Sequence, residues 1–358
     1  MYSFRMERYR GRGALSNPAP RFLGERTQAV DDGWYQQELP DSIATEVRPE
    51  PARTLISRNT SPDIHFEQSI NPYRGCEHGC AYCYARPSHA YLDLSPGIDF
   101  ETKIFYKADA ARLLEQELAR PGYVPKQIAL GANTDPYQPL ERRLRVTRSI
   151  LQVLERTRHP ASIVTKGALI LRDLDLLSSL AQDRLIHVFV SVTTLDVELK
   201  RVLEPRAASP AARLRTLREL TAAGVPTGVL VAPVIPAVND GEIEHIIAAV
   251  AAAGAMSAGY VLLRLPHELK QLFREWLDEH LPERAEHVMA LVRGARGGRE
   301  NDPGFGSRMV GSGAWAQLLA DRFALACRRH GLTRRQLPEL SVAHFRPPGR
   351  GAQLTLPI

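Results

Sequence analysis

Three of the chain's four cysteines fall within eight residues, in the segment Asn71-Pro-Tyr-Arg-Gly-Cys76-Glu-His-Gly-Cys80-Ala-Tyr82-Cys83-Tyr84-Ala-Arg86. In a reducing compartment such crowding points to metal ligation or catalysis rather than to a disulfide framework. Thiolates spaced four and then three apart can converge on one centre if the loop curls around it, and Gly75 and Gly79 allow that curl. Two chemistries suit the pattern. Three thiolates on a four-iron cube leave one iron open to a ligand from outside the chain. Zinc is the alternative, completed by His78 or His89, although structural zinc usually takes four ligands and no second Cys-x2-Cys exists here. The remaining thiol, Cys327, sits in an apolar helical run, Leu318–Cys327, and reads as core.

Such a loop needs a scaffold. Short apolar or β-branched runs occur near Ser69–Tyr73 and at Ile128–Leu130, Ser162–Thr165, Ile186–Val192, Gly228–Val234 and Tyr260–Leu265. Amphipathic stretches of helical length alternate with them: Asp109–Leu118, Leu144–Arg156, Leu169–Leu180, Ala211–Ala223 and Glu242–Ala252. Asp240 and Ser209-Pro210 have the chemistry of helix starts, and Gly224 and Gly254 follow helix ends. Six βα units imply an α/β fold with a parallel sheet, too few for a complete eight-stranded barrel. A doubly wound sheet and an open partial barrel both satisfy the pattern. In either, ligands gather at the carboxyl ends of the strands. The residues released there are polar: Asn133, Thr134 and Asp135, then Thr165 and Lys166, then Ser191, Thr193 and Thr194, then Asn239, and finally Arg264.

The chain has 358 residues, 24% of them charged, and carries a formal charge of +6. No apolar run is long enough to span a membrane, and the basic N-terminus lacks the apolar core of a secretory signal; the expected address is the cytoplasm. Residues 1–60 show no sustained period and read as an extended N-terminal arm, 61–285 as the catalytic domain, and 286–358 as a C-terminal extension. From Ala290 onward there are eleven Arg, no Lys and four acidic residues. A solvated basic face explains that excess, and so does contact with a polyanion such as nucleic acid.

Cys-x3-Cys-x2-Cys, with an aromatic before the last cysteine and placed after the first strand, resembles the hallmark of the radical S-adenosylmethionine superfamily. Cys-x-Tyr-Cys-Tyr, followed by Asn133-Thr134-Asp135-Pro136-Tyr137-Gln138-Pro139 and Glu141, is similar to the group related to spore photoproduct lyase (DNA repair photolyase-like), within it most like an uncharacterised bacterial branch. The likeness runs from about Ser57 to Pro266, with family-like wording continuing to about Leu332. It implies a partial (β/α)6 TIM-like barrel of the radical SAM type with a helical C-terminal extension. It further implies a [4Fe–4S] cluster on Cys76, Cys80 and Cys83, whose open iron chelates S-adenosylmethionine. Reductive cleavage then yields a 5′-deoxyadenosyl radical, with a flavodoxin- or ferredoxin-like electron donor. By position in the family, Lys166 and Ser191 meet the methionine carboxylate, Asn133, Thr134 and Asp135 the amino end and ribose, and Tyr82 the adenine. Tyr84 matches a tyrosine tied to radical relay. One departure stands out: Ala132 occupies the place of the lyases' hydrogen-donating cysteine, so the resemblance does not extend to spore photoproduct repair itself.

Two rival functions remain at this stage. One is a zinc-stabilised nucleic-acid binding module without catalysis; the other is a radical enzyme acting on a small molecule or peptide rather than on nucleic acid.

Overall fold

Runs rich in Val, Ile and Leu become strands here because both of their faces are covered, as parallel sheets require. In the computed structural model, which describes residues 9–23, 42–332 and 337–349, they are β1 (Gln68–Ile70), β2 (Ile128–Leu130), β3 (Ala161–Thr165), β4 (Ile186–Ser191), β5 (Thr227–Val234) and β6 (Ser257–Leu262). They lie side by side in chain order, and every neighbouring pair among them is parallel. The edge of β1 is covered by the short antiparallel strand Ser57–Arg58. β1 and β6 do not meet, so the barrel is open. This is the expected partial (β/α)6 architecture, and the doubly wound alternative falls because the strand order never reverses.

Helices Ala110–Leu118, Val146–Thr157, Leu174–Gln182, Pro210–Ala222, Ile243–Ala252 and Leu269–His280 follow the six strands in turn. Ser209 caps one of them as expected, its Oγ accepting from the Ala212 N–H at 3.2 Å with Pro210 in the first turn. Asp240 does not cap its helix. It opens a single 3-10 turn, Asp240–Glu242, and the helix begins at Ile243 without a side-chain cap. The expected first strand also breaks. Pro72 has no N–H to give a ladder, and the chain leaves β1 at Ile70 to form Tyr73–Arg74 in a separate small sheet with Lys103–Tyr106 and Glu46–Pro49.

The stretch around Arg12–Ser16 crosses directly behind the cysteine loop. The N–H groups of Gly13 and Ala14 donate to the Glu101 carboxylate at 3.0 and 2.8 Å. At the other end, helices Ala285–Gly294, Ser307–Val310 and Gly313–Arg329 follow the barrel. The last of these packs its Phe323 ring 4.8 Å from that of Tyr260 on β6. Cys327 lies in the same core, as expected. Of the Arg-rich tail, Arg334, Arg335 and Arg350 lie outside the described residues, as do 1–8 and 24–41 of the arm. No described helix is long and apolar enough to cross a membrane.

Candidate functional site

The cysteine loop leaves the carboxyl end of β1 and turns back on itself at two left-handed glycines, Gly75 (φ +80°) and Gly79 (φ +68°). A Cβ on Gly79 would come within 2.7 Å of the Glu101 carboxylate, so the loop needs glycine there for space as well as for φ. Its path is pinned from several sides. Cys76 N–H donates to the Phe100 carbonyl at 2.9 Å, and Ala81 N–H donates to the Leu203 carbonyl at 3.0 Å. The fully buried Arg86 donates to the carbonyls of Cys80, Pro96 and Gly97 at 2.9–3.2 Å and pairs with Glu101. Gln138 holds the Glu77 N–H and the Gly75 carbonyl. None of the three thiols is in a disulfide. Burial pushes all three upward, Cys80 to about 12, and for Cys76 the carboxylate of Asp135 and then the other two sulfurs add to the rise. The three sulfurs thus feel one another. Thiols held this high ionise when a cationic metal centre binds them, which suits a ligand set for a cluster.

Beside this loop, Asp135 joins three strand ends. Its carboxylate accepts from the Thr165 hydroxyl at 2.7 Å, the Lys166 N–H at 2.6 Å and the Tyr137 N–H at 2.8 Å, and lies 3.3 Å from Nδ1 of His78. Burial alone would raise this carboxyl; His78 and the hydrogen bonds more than offset it and hold it at about 2. The Lys166 ammonium sits 5.8 Å from the centre of the Tyr82 ring, and among the described residues no acid pairs with it. Thr165 pairs with Val190 in register, so Lys166 and Ser191 occupy the next rung together.

Tyr82 is buried, and its hydroxyl donates to Glu204. The same carboxylate accepts from Thr193 at 2.8 Å and pairs with Arg213, which also donates to the Ser191 carbonyl at 3.0 Å. Glu204 and Arg213 are therefore a buried ion pair that fixes the end of β4 and the tilt of the Tyr82 ring. Tyr84 stands 47% exposed in the open mouth of the barrel. Its hydroxyl donates to the Ala132 carbonyl, and the Arg264 guanidinium lies 5.8 Å from its ring.

The strand ends thus bring together Cys76, Cys80, Cys83, Tyr82, Tyr84, Asp135, Lys166 and Ser191. Two expected ligands are already engaged within the protein. The Thr134 hydroxyl is buried and donates to the Tyr73 carbonyl at 2.7 Å, and the Asp135 carboxylate is saturated. Their side chains hold the site rather than reach into it. Asn133 keeps a side chain near the mouth, its amide 3.4 Å from the Ser88 hydroxyl. The sequence reading missed Gly13, Arg86, Glu101 and Gln138. Arg86 and Gln138 stood in the very motifs that carry the resemblance; Gly13 and Glu101 gave no signal.

An open six-stranded parallel barrel with three thiols at the end of its first strand and, at the end of its third, an ammonium in no salt bridge among the described residues has the layout of a cluster-dependent enzyme. The Radical SAM superfamily model matches residues 70–250, and the chain belongs to that superfamily. It is 40% identical over 232 residues to an uncharacterised protein of Mycobacterium tuberculosis, covering 64% of this chain and 68% of the relative. An uncharacterised protein of Methanocaldococcus jannaschii is 27% identical over 219 residues, 61% of this chain and 78% of that one. In structure the chain is similar to spore photoproduct lyase complexed with dinucleoside spore photoproduct, with a TM-score of 0.57 over 80% of each chain at 16% identity. That likeness is one of fold. Family membership sets the zinc-stabilised binding module aside.

Proposed function

We propose that this radical SAM enzyme holds a [4Fe–4S] cluster on Cys76, Cys80 and Cys83 and binds S-adenosylmethionine at its open iron, working in the cytoplasm with a flavodoxin- or ferredoxin-like donor. When bound and reduced, the pair supplies a 5′-deoxyadenosyl radical that takes a hydrogen atom from a substrate. The observation that carries this reading is the Lys166 ammonium beside Tyr82 and the cysteine loop, a cation that Glu204 acts on but that forms no salt bridge among the described residues. Lys166 and the neighbouring Ser191 take the methionine carboxylate, Tyr82 flanks the adenine, and Asn133 is left to contact the amino end or ribose. Thr134 and Asp135 act as positioning residues. Tyr84, in the mouth, is the residue nearest to a relay role, although Ala132 in place of a thiol argues against repair of spore photoproduct. The test is anaerobic reconstitution with iron and sulfide, then reduction with S-adenosylmethionine present. A brown species absorbing near ~400 nm and formation of 5′-deoxyadenosine are expected; a loaded cluster that never yields 5′-deoxyadenosine would sink the reading.

Action on nucleic acid is the favoured substrate class, and its support is local. In the C-terminal extension Arg293, Arg308 and Arg322 are paired with acids, while Arg299, Arg328, Arg329 and Arg346 are exposed without a salt bridge among the described residues, Arg328 and Arg329 side by side at the end of helix Gly313–Arg329. Binding to single-stranded DNA or RNA that falls linearly on a log–log salt plot, with a slope flattened by Arg328→Gln and Arg329→Gln, is the expected result. No binding at low salt would favour a small-molecule or peptide substrate.

A further inference from the structure

Past the end of β6, Arg264 turns toward the mouth. Its guanidinium has five N–H donors, yet among the described residues the only contact it makes within hydrogen-bonding range is a weak one, Nη1 to the Met309 sulfur at 3.8 Å. Its Nε is buried without a partner. Buried donors in native proteins are nearly always satisfied, and an unsatisfied one calls for a ligand.

The neighbours deepen the deficit. Arg308 is satisfied, pairing with Asp63 and donating to the Ser61 hydroxyl at 2.5 Å. Arg296 lies behind, donating to the carbonyls of Leu262, Leu263 and Arg308 at 2.6–3.2 Å, and its Nε is a second buried donor without a partner. Three guanidiniums thus crowd one rim. Burial first, then Arg308, lowers Arg264; burial first, then Arg264, lowers Arg296 to about 10. Each cation is paying for its neighbours. Asp63 pairs with Arg308 and acts on Arg264 only from a distance, as Asp302 does on Arg296, so among the described residues neither Arg264 nor Arg296 has a salt-bridge partner.

We infer that Arg264, backed by Arg296, anchors a phosphate group of the substrate at the β6 rim, across the Tyr84 ring from the cysteine loop. The inference rests on the proposed function only for the chemistry that follows binding. A phosphate accepts the bidentate fork of Arg264, and a monoester, unlike a carboxylate or a phosphodiester, carries charge beyond that of one cation. The phosphate can belong to a nucleic-acid strand or to a small monoester, and the two are separable by experiment.

Reconstituted protein is titrated, with phosphorus NMR as the readout, against inorganic phosphate, thymidine 5′-monophosphate and a short oligothymidylate. Binding by the wild type and a loss of about tenfold or more in Arg264→Gln are expected. Arg264→Lys, which keeps the charge and loses the fork, should fall between them, and it serves as the reporter if the glutamine variant does not fold. Preference for the monophosphate or for the oligonucleotide supports the site and names its source. Unchanged affinity in both variants, or displacement of phosphate by an equal concentration of acetate, overturns it. A wild type that binds phosphate yet makes no 5′-deoxyadenosine would sink the proposed function and leave this site standing. Undiminished phosphate binding in Arg264→Gln, with 5′-deoxyadenosine still formed by the wild type, would do the reverse.

Discussion

Lys166 carries its ammonium beside the Tyr82 ring with no salt-bridge partner among the described residues, an arrangement that the proposed methionine carboxylate would complete. A charge-assisted hydrogen bond of this kind contributes about 1.5–3 kcal/mol, so Lys166→Ala should weaken S-adenosylmethionine binding by about tenfold to a hundredfold while iron content stays the same. An unchanged dissociation constant would remove Lys166 from the site. The cysteines give a sharper test. Replacing Cys76, Cys80 or Cys83 by Ala should abolish cluster loading, whereas Cys327→Ala, in the core between helix Gly313–Arg329 and the barrel, should leave iron per chain unaltered. Residue types at strand ends were legible in the sequence: a lysine and a serine on adjacent rungs, three thiols in one loop. Direction was not. Asp135 and Thr134 look like ligands in one dimension, and only the fold shows that one faces four donors and the other a carbonyl.

At the level of elements, the six strands could be read because parallel strands covered on both faces leave unbroken apolar runs. The break after β1 was present in the letters too, since Pro72 cannot extend a ladder. The segment behind the cysteine loop was unreadable, because it has neither period; it is held by the backbone N–H groups of Gly13 and Ala14 and by the side chains of Arg12 and Ser16. Its tightest steric demand is Gly13, where a Cβ would lie 1.7 Å from the Gly79 carbonyl oxygen. That contact is backbone against backbone and has no side chain to swing away. Gly13→Ala should therefore push the segment off Glu101, lower the melting temperature and reduce iron loading together. A variant that melts and loads like the wild type would show that the segment does not support the loop.

Across the whole molecule, acid should act through buried imidazoles, among them His89 beside the cysteine loop and His159 at the amino end of the barrel, both lowered to about 4 by burial. His159, at the entry to β3, is fully buried, with Nδ1 3.0 Å from the Pro160 carbonyl and Nε2 2.8 Å from the Tyr123 hydroxyl. Burial lowers it to about 4, against about 6.5 when unfolded. The folded chain keeps it neutral while the unfolded chain takes up a proton, so its contribution is complete above about pH 6.5 and is lost as pH falls toward 4. Thermal melting of the iron-free protein between about pH 7 and about pH 4.5 should show that decline, and His159→Gln should make it shallower; an equal slope would assign the acid lability elsewhere. The Asp135 junction has a different reach. One carboxylate ties the loop proposed to ligate iron to the backbone of the lysine proposed to grip the cofactor, so the two binding events would share a mechanical part. Linkage is reciprocal: if loading iron tightens S-adenosylmethionine by some factor, bound S-adenosylmethionine must retain iron by the same factor. The enzyme's resistance to losing its metal would then rise and fall with the supply of its cofactor.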